Sequence, residues 1–446
     1  MLVALMALAL AADDPFHVEA SVHTLPNGLT VILSEDHNTD NIALHLHYGV
    51  GARDEGPGEY GCAHLFEHLM FEGSANVPTN AFDEWLTAAG GWNNAFTSED
   101  ETAYHMTFPS GALDLALMME SDRMGFLEAG LDQENLENQQ KVVLQERAEG
   151  YAEPRGRNWD AIALIGWPAG HPYQHTVIGT VADIEGYTID GVVSFWKRHY
   201  RPRNAVLSLV GNFETKEALA QVEHWFSDIP DVGPPEARSE FTKVGPEIHG
   251  DHFISDRVED RTVFLAWPTV PLGHPDEAAL DVLANVLSGG RGTRLDDALQ
   301  FDRSIASGVG VFQSSSEIGG HFIVLAIADG LTLPKLAAKV DKQLAKFAKS
   351  PPTAAEIERA QKAERSSYLY GLEGLEDRAE VLVDCQRMYG KTDCTRDTYA
   401  RIEAVTADDV MRVYRTYLVP ENRVTLSVVP VGDDGMIEGA VEVEIR

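Results

Sequence analysis

The sequence predicts an α+β protein of two homologous halves, each an antiparallel sheet with helices packed on it, facing each other across a cleft. Three observations predict this. The 446 residues exceed what a single ordinary core organises. A helix-then-strand segment occurs twice, as TIDGVVSFWKRHYRPRNAVLSLVG from Thr188 and TADDVMRVYRTYLVPENRVTLSVVP from Thr406, 218 residues apart. Strand-like runs and long amphipathic stretches also mix within both halves, as they do in α+β units.

Taken in order, the chain opens with MLVALMALALAADDP, an apolar run ending in small residues. Ala9-Leu10-Ala11 has the pattern of a signal-peptidase site, so residues 1–16 read as a leader and the chain as exported, to a bacterial periplasm or outside the cell. The run is too short to span a bilayer, and no later stretch is long and apolar enough to do so. The first half is expected over 17–232. In it, Thr188 caps a helix that ends near Tyr200 and passes Asn204 into an alternating strand. A second half over 247–446 repeats this with Thr406, Tyr417 and Asn422. IALHLHYGVG from Ile42 and VFLAWPTVPLG from Val263 form another matching pair, both strand-like and both closing on glycine. Between the halves, residues 233–246 are rich in Pro and Gly and read as a linker.

Composition narrows the function. Apolar residues make up 44% and charged residues 24%, a globular balance. The formal charge is −35, which argues against nucleic acid, because phosphate requires a positive footprint. The acidity fits solubility or a saline habitat, with a preference for basic peptides as the sharper reading. Cys385 and Cys394 can pair in an oxidising compartment, while Cys62 reads as a small buried residue. His45 and His47 alternate on one strand and read as the polar face of a half-buried sheet. His171 and His175, among Gly and Pro, read as turn residues.

The chemistry concentrates in GCAHLFEHLMFEGS, residues 61–74. No Pro or Gly interrupts Cys62–Glu72, so a helix is expected, and residues four apart share one helix face. His64 and His68 can then direct both imidazoles at one ion, with Glu67 on nearly the same face. Catalytic zinc takes three protein ligands and leaves a position for water, whose pKa it lowers to about 7. A carboxylate beside it, not on it, serves as general base. The helix from Asp132 offers a third ligand. Leu136, Gln139, Val143 and Glu146 share a face, and a carboxylate following an apolar stripe inward needs a cation. Glu149 ranks behind Glu146 because it borders Gly150.

HLFEH followed roughly eighty residues later by VVLQE resembles the inverzincin peptidases, the pitrilysin and insulinase-like family. GGWNNAFTSEDETAY from Gly90 is similar to the family's NA-x-T strand with its D-x-T-x-Y continuation, and GHPYQHTVIGT and LSGGRGTRLDDAL also have counterparts. The length suits the two-domain, mitochondrial-processing-peptidase-like branch. The resemblance implies one zinc per chain on His64, His68 and Glu146, with Glu67 as base. It implies that Asn94 and Ala95 lie on an edge strand that binds substrate backbone by strand addition. It also implies endopeptidase action on unfolded peptides.

Two positions depart from the family. A glutamate often found seven residues before the ligand glutamate is here Gln139, an amide able to hydrogen-bond a ligand histidine without adding charge. An Arg and Tyr that contact substrate in many members are replaced, in ALQFDRSIASGVGVF, by Gln300 and Ser307, with Arg303 nearby but no tyrosine after it. In the two-subunit branch one subunit holds zinc and its homologue supplies the Arg and Tyr. The chain is therefore expected to be the zinc-bearing subunit of a heterodimer, a homodimer being the competing arrangement. Two rivals differ in class. A non-catalytic structural subunit of this fold usually loses the zinc motif, which is intact here. A hydrolase of non-peptide substrates would have little use for the NNAFT strand.

Overall fold

The computed structural model describes residues 16–235, 237–238 and 249–445. Residues 1–15 of the expected leader, and 236 and 239–246 of the expected linker, lie outside the described residues. Phe16, the last residue of the expected leader, is 2% exposed and stacks on Tyr399 at 4.3 Å between ring centroids.

The first half contributes β1 (Ser21–Thr24), β2 (Thr30–Glu35), β3 (Asn41–Tyr48), β4 (Trp92–Thr97), β5 (Thr102–Pro109) and β6 (Ala205–Gly211). The second contributes β7 (Gly250–Asp256), β8 (Thr262–Thr269), β9 (Ala306–Ser316), β10 (Gly319–Ala328), β11 (Val424–Pro430) and β12 (Val441–Glu442). They form two six-stranded sheets, ordered β1-β2-β6-β3-β5-β4 and β12-β7-β11-β8-β10-β9. Strands β2 to β6 correspond one for one with β7 to β11, in position and in sense. Both sheets are antiparallel apart from the pairs β2–β6, β7–β11 and β7–β12. The sixth strand breaks the symmetry: β1 precedes β2, whereas β12 arrives from the far end of the chain.

The helices of the first half are α1 (Cys62–Leu69), α2 (Ala81–Ala88), α3 (Leu113–Phe126), α4 (Gln133–Ala152), α5 (Asn158–Gly166), α6 (Val181–Gly186), α7 (Ile189–His199) and α8 (Thr215–Phe226). Those of the second are α9 (Glu277–Leu287), α10 (Leu333–Phe347), α11 (Ala354–Gly371), α12 (Leu375–Tyr389), α13 (Thr395–Glu403) and α14 (Ala407–Tyr417). The repeat seen in sequence is α7–β6 and α14–β11. Thr188 and Thr406 cap them alike, each hydroxyl accepting the backbone N–H three residues on, at 3.2 Å. Such a cap is worth about 1 kcal/mol against alanine.

Each half has its own core. Leu44, Leu46 and Tyr48 of β3 meet Leu65, Phe66 and Leu69 of α1, and Leu265 and Trp267 of β8 meet Leu280 and Leu283 of α9. The halves also exchange a helix. Helix α12 lies on β3 and β6 of the first sheet, with Ala379 and Leu382 against Ala43 and Val210. Helix α5 lies on β8 and β11 of the second, with Ile162 against Phe264 and Leu426.

This exchange corrects the reading of β3. His45 and His47 do share a face, but they are 3% and 1% exposed, not half-buried, because α12 covers the face that alternation left polar. Nothing near them in sequence announces that helix. Cys385 and Cys394 are disulfide-bonded and Cys62 is buried. His171 is buried against Trp167 and His175 packs on Tyr60, in keeping with turn roles. Among the described residues, no helix is long and apolar enough to cross a membrane.

Candidate metal centre

Helix α1 starts at Gly61, where φ is +92° and a Cβ would stand 2.6 Å from the Ile178 carbonyl, so only glycine fits the entry turn. Cys62, Ala63, Leu65, Phe66 and Leu69 then face the core. The residual face carries His64, Glu67 and His68, all partly buried. Helix α4 is capped by Asp132, which accepts the Asn135 N–H at 2.8 Å, and packs on α1 through buried Leu136 and Val143.

That packing brings the three expected ligands together. One ligand atom each of His64, His68 and Glu146 lies within 4.8 Å of the others. Glu146 Oε2 stands 3.4 Å from His68 Nε2 and 3.8 Å from His64 Nε2. A tetrahedral zinc with bonds of about 2.0–2.1 Å separates its ligands by about 3.3–3.4 Å, so this donor set suits that ion with little movement. Among the described residues no other group of three acidic, histidine or cysteine side chains is so placed.

The apolar stripe of α4 stops short of Glu146, whose side chain is 51% exposed. The expectation that it follows the stripe inward is therefore corrected. Its carboxylate sits at the mouth of the site, where access from solvent is required. Glu149, the lower-ranked alternative, is exposed and bonded to Gln145.

The electrostatics are those of a site short of positive charge. Burial, and then the neighbouring His68, pulls His64 down to about 4. Burial also opposes charge on His68, but its bond to Glu146 and the Glu67 carboxylate raise it above the usual range. Glu146 is lowered, chiefly by that bond to His68. Glu67 is raised by burial, partly offset by Thr97. Glu67 is not in the ligand group. The Thr97 hydroxyl, at the end of β4, donates to its Oε2 at 2.6 Å. A carboxylate kept off the ion, with raised proton affinity, is what a general base requires.

Gln139 lies one turn before Val143 on α4 and touches His68. Its amide nitrogen donates to Glu72, just beyond α1. Sequence reasoning placed Gln139 beside the site but missed Glu72 and the contact from Thr97 to Glu67. The signals were present, in HLMFE and NNAFT, yet both contacts depend on packing across elements. Among the described residues, strand β4 forms the end of the first sheet beside α1 and pairs with β5 alone. Asn94 is exposed on it, and Ala95 is half-buried with its N–H held by Asn94 Oδ1 at 2.9 Å. Gln300 and Ser307 also meet, through a 3.1 Å bond from the Gln300 amide to the Ser307 carbonyl on β9.

Comparison with known proteins agrees with this frame. The family model described as "Insulinase (Peptidase family M16)" matches residues 30–175, and that described as "Peptidase M16 inactive domain" matches residues 187–364. The chain belongs to the insulinase, or M16, peptidase family. The M16 relatives include the "Zinc protease PqqE" of Helicobacter pylori, 26% identical over 91% of this chain and 92% of that one. They also include the "Probable mitochondrial-processing peptidase subunit beta" of Arabidopsis thaliana, 24% identical over 93% and 79%. Among solved M16 structures, a Helicobacter pylori protease superposes with a TM-score of 0.85 over 93% of this chain and all of that one, at 24% identity, a likeness of fold. The three candidate ligands fall in the first matched stretch, and the "inactive domain" stretch holds none of them.

Proposed function

We propose that the chain is a zinc-dependent endopeptidase acting on extended peptides. The observation that carries this reading is the convergence of His64, His68 and Glu146, with Glu67 beside them and tied by Thr97 to an edge strand. Zinc held by the three would supply a Lewis acid that acidifies water and polarises the scissile carbonyl. The remaining work falls to the chain's own groups. Strand β4 pairs with the peptide backbone, placing one carbonyl at the site and reading little side-chain identity. Glu67 takes the proton of the attacking water on its carboxylate and passes it to the leaving amine. Thr97 keeps that carboxylate turned toward the bond being cut. The names of the M16 relatives as zinc proteases support the reading.

The second half brings Gln300 and Ser307, not Arg and Tyr, to the corresponding segment. We therefore read the chain as the zinc-bearing member of a pair, completed by a homologous subunit that supplies those groups. Export to a periplasm or the cell exterior belongs to the same reading, and the Cys385–Cys394 disulfide supports it, since such bonds persist in oxidising compartments. The test is to purify the full chain, measure zinc by elemental analysis, and assay unstructured peptides with and without a co-expressed homologue lacking HxxEH. One zinc per chain and cleavage stimulated by the homologue are expected. Absence of bound metal would return the chain to a structural role, and full turnover alone would remove the partner.

A further inference from the structure

Among the described residues the second half carries no ligand to the candidate metal centre, yet one of its turns enters the first half. Glu317 and Ile318 connect β9 to β10. Glu317 Oε2 meets Arg53 Nη2 at 2.5 Å and Arg238 Nη1 at 3.0 Å, and its Oε1 meets Arg387 Nη2 at 2.5 Å. Its backbone N–H donates to Asp100 Oδ2 at 2.9 Å, and that of Ile318 donates to the Tyr173 hydroxyl at 3.2 Å. Asp100 closes the junction by accepting the Tyr173 hydroxyl at 2.6 Å and pairing with Arg53 at 2.8 Å. The approach is tight: a Cβ on Gly319 would stand 2.8 Å from the Trp167 ring.

Asp100 belongs to the D-x-T-x-Y segment and Tyr173 to GHPYQH, two stretches whose role the chemistry at the metal centre does not explain. Their meeting point is informative. Asp100 lies in the turn between β4 and β5, three residues past Thr97. That turn is anchored from its other side by Ala52 and Arg53, whose N–H groups donate to Ser98 and Glu99. A rigid chain of contacts thus runs from Glu317 through Asp100 and the turn to Thr97 and Glu67. Arg53 is 5% exposed, so its pairs act where solvent screens them little.

The geometry points to Glu317 as a positioning residue for peptide binding: the second half sets the β4–β5 turn through it, and so fixes the edge strand that receives substrate. This rests on the peptidase reading for its substrate. A strand that is not held in place must be ordered when the extended peptide pairs with it, and that ordering cost falls on affinity.

The test compares the full-length protein with Glu317→Ala and Glu317→Gln, by peptide kinetics, zinc content, and hydrogen exchange of residues 92–101 with residues 21–35 as an internal control. In Glu317→Ala, KM is expected to rise roughly tenfold with a smaller change in kcat and full zinc, by loss of strand preorganisation. Exchange in 92–101 should quicken while 21–35 stays unchanged, and Glu317→Gln should fall between Ala and the parent. Unchanged exchange in 92–101, or equal acceleration in both segments, overturns the proposal. Should Glu317→Ala fail to fold, Glu317→Gln alone decides by the same two segments. If the parent protein cleaves no peptide, the peptidase reading falls, while the exchange result still decides whether Glu317 positions β4.

Discussion

The Thr97 hydroxyl donates to Glu67 Oε2 at 2.6 Å, joining the last residue of edge strand β4 to the carboxylate beside the candidate metal ligands. Under the proposed function, a peptide aligned on the strand is thereby aligned with the group that is to move its protons. A hydrogen bond to a charged group contributes about 1.5–3 kcal/mol. Thr97→Val keeps the volume but removes the donor, so kcat is expected to fall roughly ten- to a hundredfold. Zinc content should not change, since Thr97 bonds Glu67, which lies outside the candidate ligand group. Thr97→Ser should retain most activity, and steady-state kinetics on one peptide separates the three proteins.

Glu67 is the candidate base, and burial raises its proton affinity while Thr97 limits the rise. Glu67→Gln preserves shape and the bond from Thr97, but leaves nothing to accept a proton. Cleavage is expected to drop by roughly 10²–10⁴-fold, the usual contribution of a positioned acid–base group. Elemental analysis should still find one zinc. Loss of metal together with activity would instead make Glu67 a ligand.

Gln139 sits between His68 and Glu72, so the candidate ligand His68 is contacted by an amide that itself donates to a carboxylate. Removing such an outer contact typically weakens metal affinity 10–100-fold. Gln139→Leu is expected to do so by about that factor, read by competition with a chromogenic chelator. Glu146→Ala, which removes a ligand outright, should lose zinc at concentrations where Gln139→Leu still binds.

How much of this could be read in the chain depended on how far apart the cooperating residues lie. His64 and His68 were legible because helical spacing alone puts them on one face. Glu146 was legible as a member of the cluster through the family resemblance, although its exposure was not, since solvent access depends on what surrounds α4. The duplication was legible through Thr188 and Thr406, whose capping chemistry repeats locally, and the strand orders of the two sheets share that repeat. The burial of His45 and His47 was not legible, because the helix covering them belongs to the other half and begins more than three hundred residues later. For the same reason the bonds from Thr97 to Glu67 and from Gln139 to Glu72 needed the assembled fold. Period and spacing report one element at a time, whereas these contacts are set by docking between elements.

The exchanged helices carry a consequence for acid stability. His45, under α12, is held at about 3, chiefly by burial and then by His47 and His105. His321, whose Nε2 lies 2.6 Å from the Gly166 carbonyl at the end of α5, is held at about 4, again by burial. Both are lower than the 6.5 expected when unfolded. Below that value the unfolded chain binds protons that the folded chain refuses, so stability is complete above pH 6.5 and is lost as pH falls toward the folded values. Moving from pH 8 to pH 5 should cost about 2 kcal/mol for each histidine. Burial holds Asp281 up at about 8 and Asp384 at about 7, which acts in the opposite sense, so the histidine share is read by difference: in urea midpoints across that range, His45→Gln or His321→Gln should each remove part of the loss toward pH 5, whatever either does to stability at pH 8. Slopes unaltered by both replacements would mean that neither ring is buried in neutral form between the halves.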